Sequence, residues 1–92
     1  MLNEENIVMK KDFLVVYDYG TGGIWTVIHA RSKEEIEQKF PDLKVMNDPR
    51  PDWMTDERFS ELYDGVMKRR DYFYLDIDDK PTGWFARRKY NP

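Results

Sequence analysis

The sequence has no cysteine, a single histidine and only two serines among its 92 residues. The absence of cysteine excludes disulfides, thiol catalysis and thiolate metal ligands, and it is consistent with a reducing cytoplasm. Long apolar runs are also missing, and the N-terminal stretch carries acidic residues where a secretory signal needs basic ones. We therefore expect a cytoplasmic protein with no membrane partner.

Charged residues, by contrast, are abundant, at 36% of the chain, beside 40% hydrophobic and 15% aromatic residues. This composition predicts one small globular domain with a highly charged exterior. We place the domain at residues 11–92, after a loose lead-in at residues 1–10. The net charge of −3 argues against a general nucleic-acid binder, because such proteins gain affinity by neutralising phosphates.

Three of the five glycines fall within the stretch YDYGTGGIW, at residues 17–25. A phosphate-binding loop leads from a strand into a helix and is followed by lysine and a hydroxyl residue. Here β-branched and aromatic residues lie on both sides, at residues 12–19 and 24–30, which is the pattern of two strands. We therefore predict a β-hairpin whose turn uses glycine for positive φ.

Two helices are predicted from their capping residues and apolar spacing. Ser32 and Glu35 form a capping box at the start of ARSKEEIEQKF, and Pro41 ends that helix. Thr55 caps the second helix, whose apolar positions recur with the spacing of one buried face. These positions are Phe59, Leu62, Tyr63, Val66 and Met67.

Three further segments complete the predicted fold. Residues 42–46 and 71–78 indicate strands, and residues 84–90, WFARRKY, fit either a fifth strand or an anchored tail. The order is a β-hairpin followed by α-β-α-β(-β). This order predicts an α+β single small domain, with a mostly antiparallel sheet and two helices on one face.

Candidates for nucleophilic catalysis are few. Ser32 is explained as a helix cap, Ser60 lies inside the second helix, and His29 is the only histidine. Pairing the hairpin about its glycines places Val15 opposite Ile28 and Leu14 beside His29. Asp18 and His29 then share a face but lie roughly four residue steps apart, too far to hydrogen-bond. We predict no catalytic residue and no cofactor, with His29 half-buried at a strand end, although an enzyme is not excluded.

The strongest acidic cluster is DIDDKP, in which Asp76 and Asp78 project from the same face of a strand. Two such carboxylates could coordinate a hard cation such as calcium or magnesium. An alternative function is therefore a carboxylate-based enzyme or metal binder. The spacing is not that of a calcium loop, and alternating aspartates also keep one strand face wet, with Asp79 favouring the turn that follows. We therefore predict no metal site.

The C-terminal segment mixes aromatic and basic residues, as single-strand nucleic-acid binders do. Arg87, Arg88 and Lys89 lie there without any acid, and Arg69 and Arg70 end the second helix. These five residues are the weaker alternative, a nucleic-acid-associated protein. A basic tail on an acidic body more often pairs with its own body, so nucleic acid is an unlikely partner.

The outer face of the hairpin is the predicted partner surface. Side chains alternate along a strand, so the apolar residues Leu14, Val16, Trp25 and Val27 share the face that the helices leave uncovered, with Asp18 and His29 at its borders. A half-covered sheet normally has a polar outer face. An apolar strip there indicates a protein partner or a homodimer interface, unless WFARRKY folds over it.

The stretches YDYGTGGIW, ARSKEEIEQKFPDLKV and DIDDKPTGW together resemble a group of small uncharacterised bacterial proteins. The resemblance covers most of the chain after Lys11, but its motifs are two turns and a capped helix. It implies a bacterial, cytosolic, single-domain protein and carries over no active site. The sequence as a whole favours a non-enzymatic protein-binding domain.

Overall fold

The predicted hairpin is the centre of the fold. The computed structural model describes residues 9–88. Strand β1 (Lys11–Asp18) pairs antiparallel with strand β2 (Gly23–Ala30), and Val15 lies opposite Thr26. The predicted partner of Val15 was two residues further along β2, so the register was wrong. A shift of two residues leaves every side chain on its predicted face, because side chains alternate with a period of two.

The turn of the hairpin confirms that the glycines connect two strands. Gly20 has a φ of 98°, a left-handed value that glycine adopts at no steric cost. Its N–H donates to Asp18 Oδ1 at 2.8 Å, and the N–H of Tyr19 donates to the carbonyl of Gly22 at 3.1 Å. Within the turn, Gly20 has a positive φ, and Gly22 and Gly23 do not.

Two short strands extend the hairpin into a mixed sheet of four strands. Strand β3 (Lys44–Val45) pairs antiparallel with β1, and strand β4 (Tyr74–Asp76) pairs parallel with β2. The strand order is β3-β1-β2-β4. The sheet and its helices form one small α+β domain, as predicted.

The two main helices begin at their predicted caps. Helix α1 (Lys33–Lys39) begins after Ser32, whose hydroxyl accepts from the N–H of Glu35 at 3.2 Å. The Glu35 carboxylate accepts from the N–H of Arg31 at 2.7 Å, one residue before the capping position that the sequence indicated. Helix α2 (Asp56–Met67) begins after Thr55. None of the helices described is long and apolar enough to cross a membrane.

The C-terminal part differs from the prediction. Helix α3 (Arg70–Phe73) occupies the first half of the predicted strand 71–78, which leaves only β4 extended. Helix α4 (Gly83–Arg87) forms where a fifth strand or a tail was expected. The predicted lead-in lies outside the described residues, apart from its last two. The last of these, Lys10, is anchored by ion pairs to β4 and the turn that follows it.

Two apolar cores lie on opposite faces of the sheet. The α1 core consists of Phe13, Val15, Ile28, Ala30, Ile36, Phe40, Leu43, Leu75, Ile77, Trp84 and Phe85. The α2 core consists of Leu14, Val16, Val27, Met46, Met54 and Val66. Helices α1 and α2 therefore cover opposite faces, whereas the sequence analysis placed both on one face. The physical reason is that β1 and β2 are central strands, buried on both sides.

Thr26 is the one buried side chain whose polar atom has no hydrogen-bond partner among the described residues. It is fully buried, and its Oγ1 atom is unpaired. We expect Thr26→Val to raise the free energy of unfolding by about 1 kcal/mol, because the buried hydroxyl then no longer has to be desolvated. Urea unfolding measures this, with exposed Thr21→Val as the control. A destabilised Thr26→Val protein would show that the hydroxyl is hydrogen-bonded.

Candidate functional site

The predicted partner surface on the outer face of the hairpin is buried inside the protein. Leu14 and Val27 have no exposed surface, and Val16 is 7% exposed. They form the α2 core together with Val66, and Leu62 packs against it. The expectation of an exposed strip is therefore wrong. Its apolar residues are a second core, and helix α2 covers them rather than the C-terminal segment.

Of the other three residues of that predicted surface, Asp18 and Trp25 line one cavity of about 290 Å³ together with Val16, and His29 does not. Asp18 is exposed beside the hairpin turn, where it accepts a hydrogen bond from the backbone of that turn. Trp25 is half-buried, and its ring meets the ring of Trp53 edge-on at 6.4 Å. His29 lies near the opposite end of the hairpin from Asp18. The six residues therefore do not form one surface.

His29 belongs to a hydrogen-bonded cluster centred on Asp12. The two residues are directly opposite each other in the hairpin, with His29 Nδ1 2.8 Å from Asp12 Oδ1. Tyr63 of α2 donates its hydroxyl to Asp12 Oδ2 at 2.6 Å, and Tyr74 of β4 donates to Oδ1 at 3.2 Å. One carboxylate thus connects two strands and a helix to β1.

The two phenols of this cluster stay protonated at neutral pH. The hydrogen bond to Asp12, with partial burial, raises the pKa of Tyr63 to about 12. Burial, followed by the Asp12 charge, raises the pKa of Tyr74 to about 12. Among the described residues, Asp12 is the only side chain that hydrogen-bonds to His29, and no hydroxyl nucleophile does. The cluster holds elements together rather than assembling a nucleophile with a base.

Asp76 and Asp78, the candidate cation ligands, are bonded to cations of the chain itself. Lys10 Nζ lies 2.7 Å from Asp76 Oδ2 and 3.0 Å from Asp78 Oδ2. Arg31 donates to both oxygens of Asp78, at 2.6 and 3.1 Å. Within residues 9–88, no group of three or more acidic or histidine side chains is placed to hold a metal ion. Lysine and arginine therefore occupy the place that the alternative hypothesis gave to a metal.

These ion pairs predict an acid-dependent stability. Hydrogen bonds from Lys10 lower the pKa of Asp76 below 3.8, and those from Arg31 and Lys10 do the same for Asp78. A lowered folded-state pKa adds stability above the unfolded pKa, and this is lost as the pH falls through the folded value. Wild type should therefore be more stable than Asp78→Asn at neutral pH, and the difference should shrink below about pH 4.

Urea unfolding of wild type and Asp78→Asn from neutral pH to strong acid measures this effect. Asp71→Asn is the matched control, because Asp71 is exposed and belongs to no ion pair among the described residues. Its difference from wild type should stay small at every pH. A constant difference between wild type and Asp78→Asn across the acid range would contradict the assignment.

The basic residues of the nucleic-acid hypothesis are distributed over different structural roles. Arg88 makes a two-pronged ion pair with Asp42, and its side chain is 12% exposed. Arg69 lies over the ring of Phe73, 4.6 Å from its centre. Arg70 and Arg87 are exposed, and Lys89 lies outside the described residues. Arg88, at least, is held by its ion pair with Asp42 and is not displayed for a nucleic acid.

The open edge of β2 is the feature that the sequence analysis missed. Leu14 of β1 directs its N–H and C=O toward Asn47 and Met46 on the β3 side. Hydrogen bonding alternates along a strand, so the N–H and C=O of Trp25 in β2 point away from β1. Strand β4 begins only opposite Val27. The backbone of Trp25 therefore faces a place where residues 9–88 supply no strand.

A cavity of about 460 Å³, which we call the β2 groove, occupies that place. It is lined by residues 23–25 of β2, by Glu61, Leu62, Gly65 and Val66 of α2, and by Arg69, Phe73 and Trp84. Val66 belongs to the α2 core and Trp84 to the α1 core. The groove therefore reaches both faces of the sheet. The two faces of a sheet meet only at its edge, so the groove lies at the edge. Phe73, directly before β4, lies where the groove ends and the paired part of the edge begins.

The walls of the β2 groove are largely apolar, with one acid and one base. Trp25, Phe73 and Trp84 supply three aromatic rings, and Glu61 and Arg69 supply opposite charges. A concave apolar site with a few polar groups is the usual form of a binding site. The backbone of Trp25, which has no partner strand within the described part of the chain, adds a donor and an acceptor that an extended chain can use.

Comparison with known proteins finds no matching family model, no similar curated protein and no similar solved structure. The resemblance to small bacterial proteins therefore stays a prediction.

Proposed function

We propose that this chain is a non-enzymatic, cytoplasmic protein-binding domain that takes an extended segment of a partner protein into the β2 groove. The segment lies beside Trp25 as an added strand, in line with β4. The observation that supports this most strongly is the coincidence of a 460 Å³ apolar cavity with an unpaired stretch of sheet edge. The sequence favours the same function, but it predicts the outer face of the hairpin as the binding surface instead of the β2 groove.

The backbone of β2 supports an extended occupant over a compact small molecule. An unpaired strand edge presents alternating donors and acceptors at the spacing of another strand, and peptide-binding domains use such edges in strand addition. The backbone bonds supply affinity, and side-chain pockets beside the edge supply specificity. The groove combines both features.

The distribution of tryptophan supports a protein partner. The chain has three tryptophans, and all three lie at this end of the sheet. Trp25 and Trp84 line the groove, and Trp53, which is 56% exposed, packs edge-on against Trp25. Tyr19 in the hairpin turn is also 56% exposed. Tryptophan and tyrosine are the residues most enriched at binding hot spots between proteins.

A phage-displayed library of random peptides, selected on the immobilised protein, tests the proposal. Enriched peptides are synthesised and their affinities measured for wild type and for Gly65→Trp. No atom lies within 4 Å of the Cβ position that Gly65 lacks, so a side chain can begin there without a clash, and we expect the indole to enter the groove that Gly65 lines. We expect enriched peptides to lose at least about tenfold in affinity for Gly65→Trp.

Ser60→Trp is the matched control, because it places the same side chain on α2 at an exposed position outside the groove. It should bind the peptides as wild type does. Absence of any enriched peptide, or equal binding by wild type and Gly65→Trp, would contradict the proposal. Light scattering on the free protein tests whether a second copy of the chain occupies the groove. Concentration-dependent dimers that Gly65→Trp abolishes would show that it does.

A further inference from the structure

We infer that the partner segment carries an aromatic side chain that fits opposite Gly65, and that Gly65 is the specificity-determining residue of the β2 groove. This inference rests on the proposed function. Gly65 lies in the last turn of α2, where glycine loses more conformational entropy on folding than any other residue. A glycine at such a position therefore calls for a reason.

The protein itself supplies no reason for this glycine. Gly65 does not have positive φ, which among the glycines occurs at Gly20 and Gly83. Packing does not require it either, because a Cβ atom added there meets no atom within 4 Å. Alanine would suit both the helix and its neighbours better. Gly65 is exposed and lines the β2 groove, so what glycine provides at this position is open space at the wall of the groove.

The surroundings of the space point to an aromatic occupant. Trp25, Phe73 and Trp84 line the same cavity, and aromatic rings gain from edge-on and offset contacts with one another. Such contacts already occur here, since Trp25 meets Trp53 edge-on and Trp84 meets Tyr17 edge-on at 6.1 Å. The guanidinium of Arg69 at the groove adds a cation that aromatic faces attract. A phenyl or indole group uses all of these contacts, and a small side chain uses none.

Paired variants of the protein and of the selected peptides test the inference. Each enriched peptide is compared with a form in which its aromatic residue is replaced by alanine. Wild type should bind the aromatic form at least about tenfold more tightly. Gly65→Leu should remove most of that preference, because the leucine side chain occupies the space, and it should weaken the alanine form by no more than about threefold.

Ser60→Leu is the control for added bulk on α2, and thermal unfolding checks that Gly65→Leu is at least as stable as wild type. Peptides that bind the groove without any aromatic preference would overturn the inference and leave the proposed function standing. The same holds if Gly65→Leu weakens both peptide forms equally. Failure to obtain any groove-binding peptide would overturn the proposed function and the inference together.

Discussion

Asp42→Ala is expected to lower the free energy of unfolding by about 3–5 kcal/mol, as removal of one partner from a buried ion pair does. The side chains of Asp42 and Arg88 are 7% and 12% exposed. Two hydrogen bonds join them, at 2.9 and 3.1 Å, and Arg88 also donates to the carbonyl of Phe85 at 2.7 Å. Alanine at position 42 leaves the guanidinium buried without an anion. For a domain of this size, that is a large part of the total stability.

Chemical denaturation of wild type and Asp42→Ala measures the loss. Arg87→Ala is the matched control, because Arg87 precedes Arg88 directly but is exposed, and its removal should cost no more than about 0.5 kcal/mol. Replacing both members of the pair by apolar residues should recover part of the loss, because no charge then stays buried alone. Equal effects of Asp42→Ala and Arg87→Ala would contradict the buried pair.

Val16→Lys should destabilise the monomer by about 3 kcal/mol or more, because it buries an unpaired charge beneath α2. Val16 is 7% exposed, and one of its methyl carbons lies 2.6 Å from the Cβ position that Gly23 lacks. The backbone there is therefore closely packed around it. Val16 also lines two open cavities of about 290 and 340 Å³, so a lysine there reaches water only by turning its side chain out of the α2 core.

Thermal unfolding with light scattering decides between a core and an interface at this position. Tyr19→Lys is the control in the adjoining hairpin turn, since Tyr19 is 56% exposed and should tolerate a charge. A core residue predicts a large loss of stability in a protein of unchanged oligomeric state. A stable Val16→Lys protein that loses a dimer would restore the outer face of the hairpin as a partner surface.

The faces of the hairpin were predictable from the sequence, and its register was not. Alternation of apolar side chains fixes which residues share a face, but two registers that differ by two residues have identical faces. The glycine-rich turn admits both. The predicted register placed Leu14 beside His29, whereas Asp12 lies there. The Asp12 cluster was missed for this reason, and because α2, which supplies Tyr63, was predicted on the other face.

The placement of the helices depended on how the run FLVV was interpreted. Four consecutive buried residues, Phe13 to Val16, are typical of a strand covered on both faces. The sequence correctly predicts an apolar outer face, but it predicts a partner there, whereas α2 covers it. The capping residues Ser32 and Thr55 were recognised because capping is a local property of the chain.

The β2 groove had no sequence signature. It exists because β4 begins at Tyr74, and the preceding residues 70–73 form a helix although tyrosine and phenylalanine favour strands. Tertiary packing of α3 against α4 overrides that local preference.

Amide hydrogen exchange at Trp25, measured by NMR in the free protein and with a selected peptide bound, tests the central claim most directly. The account predicts that the Trp25 N–H is unpaired in the free protein and becomes protected at least about tenfold when the peptide adds as a strand. The N–H of Thr26, which faces β1 in both states, should change little by comparison. A bound peptide that leaves the Trp25 amide as exposed as before would show that the edge of β2 is not where the partner binds.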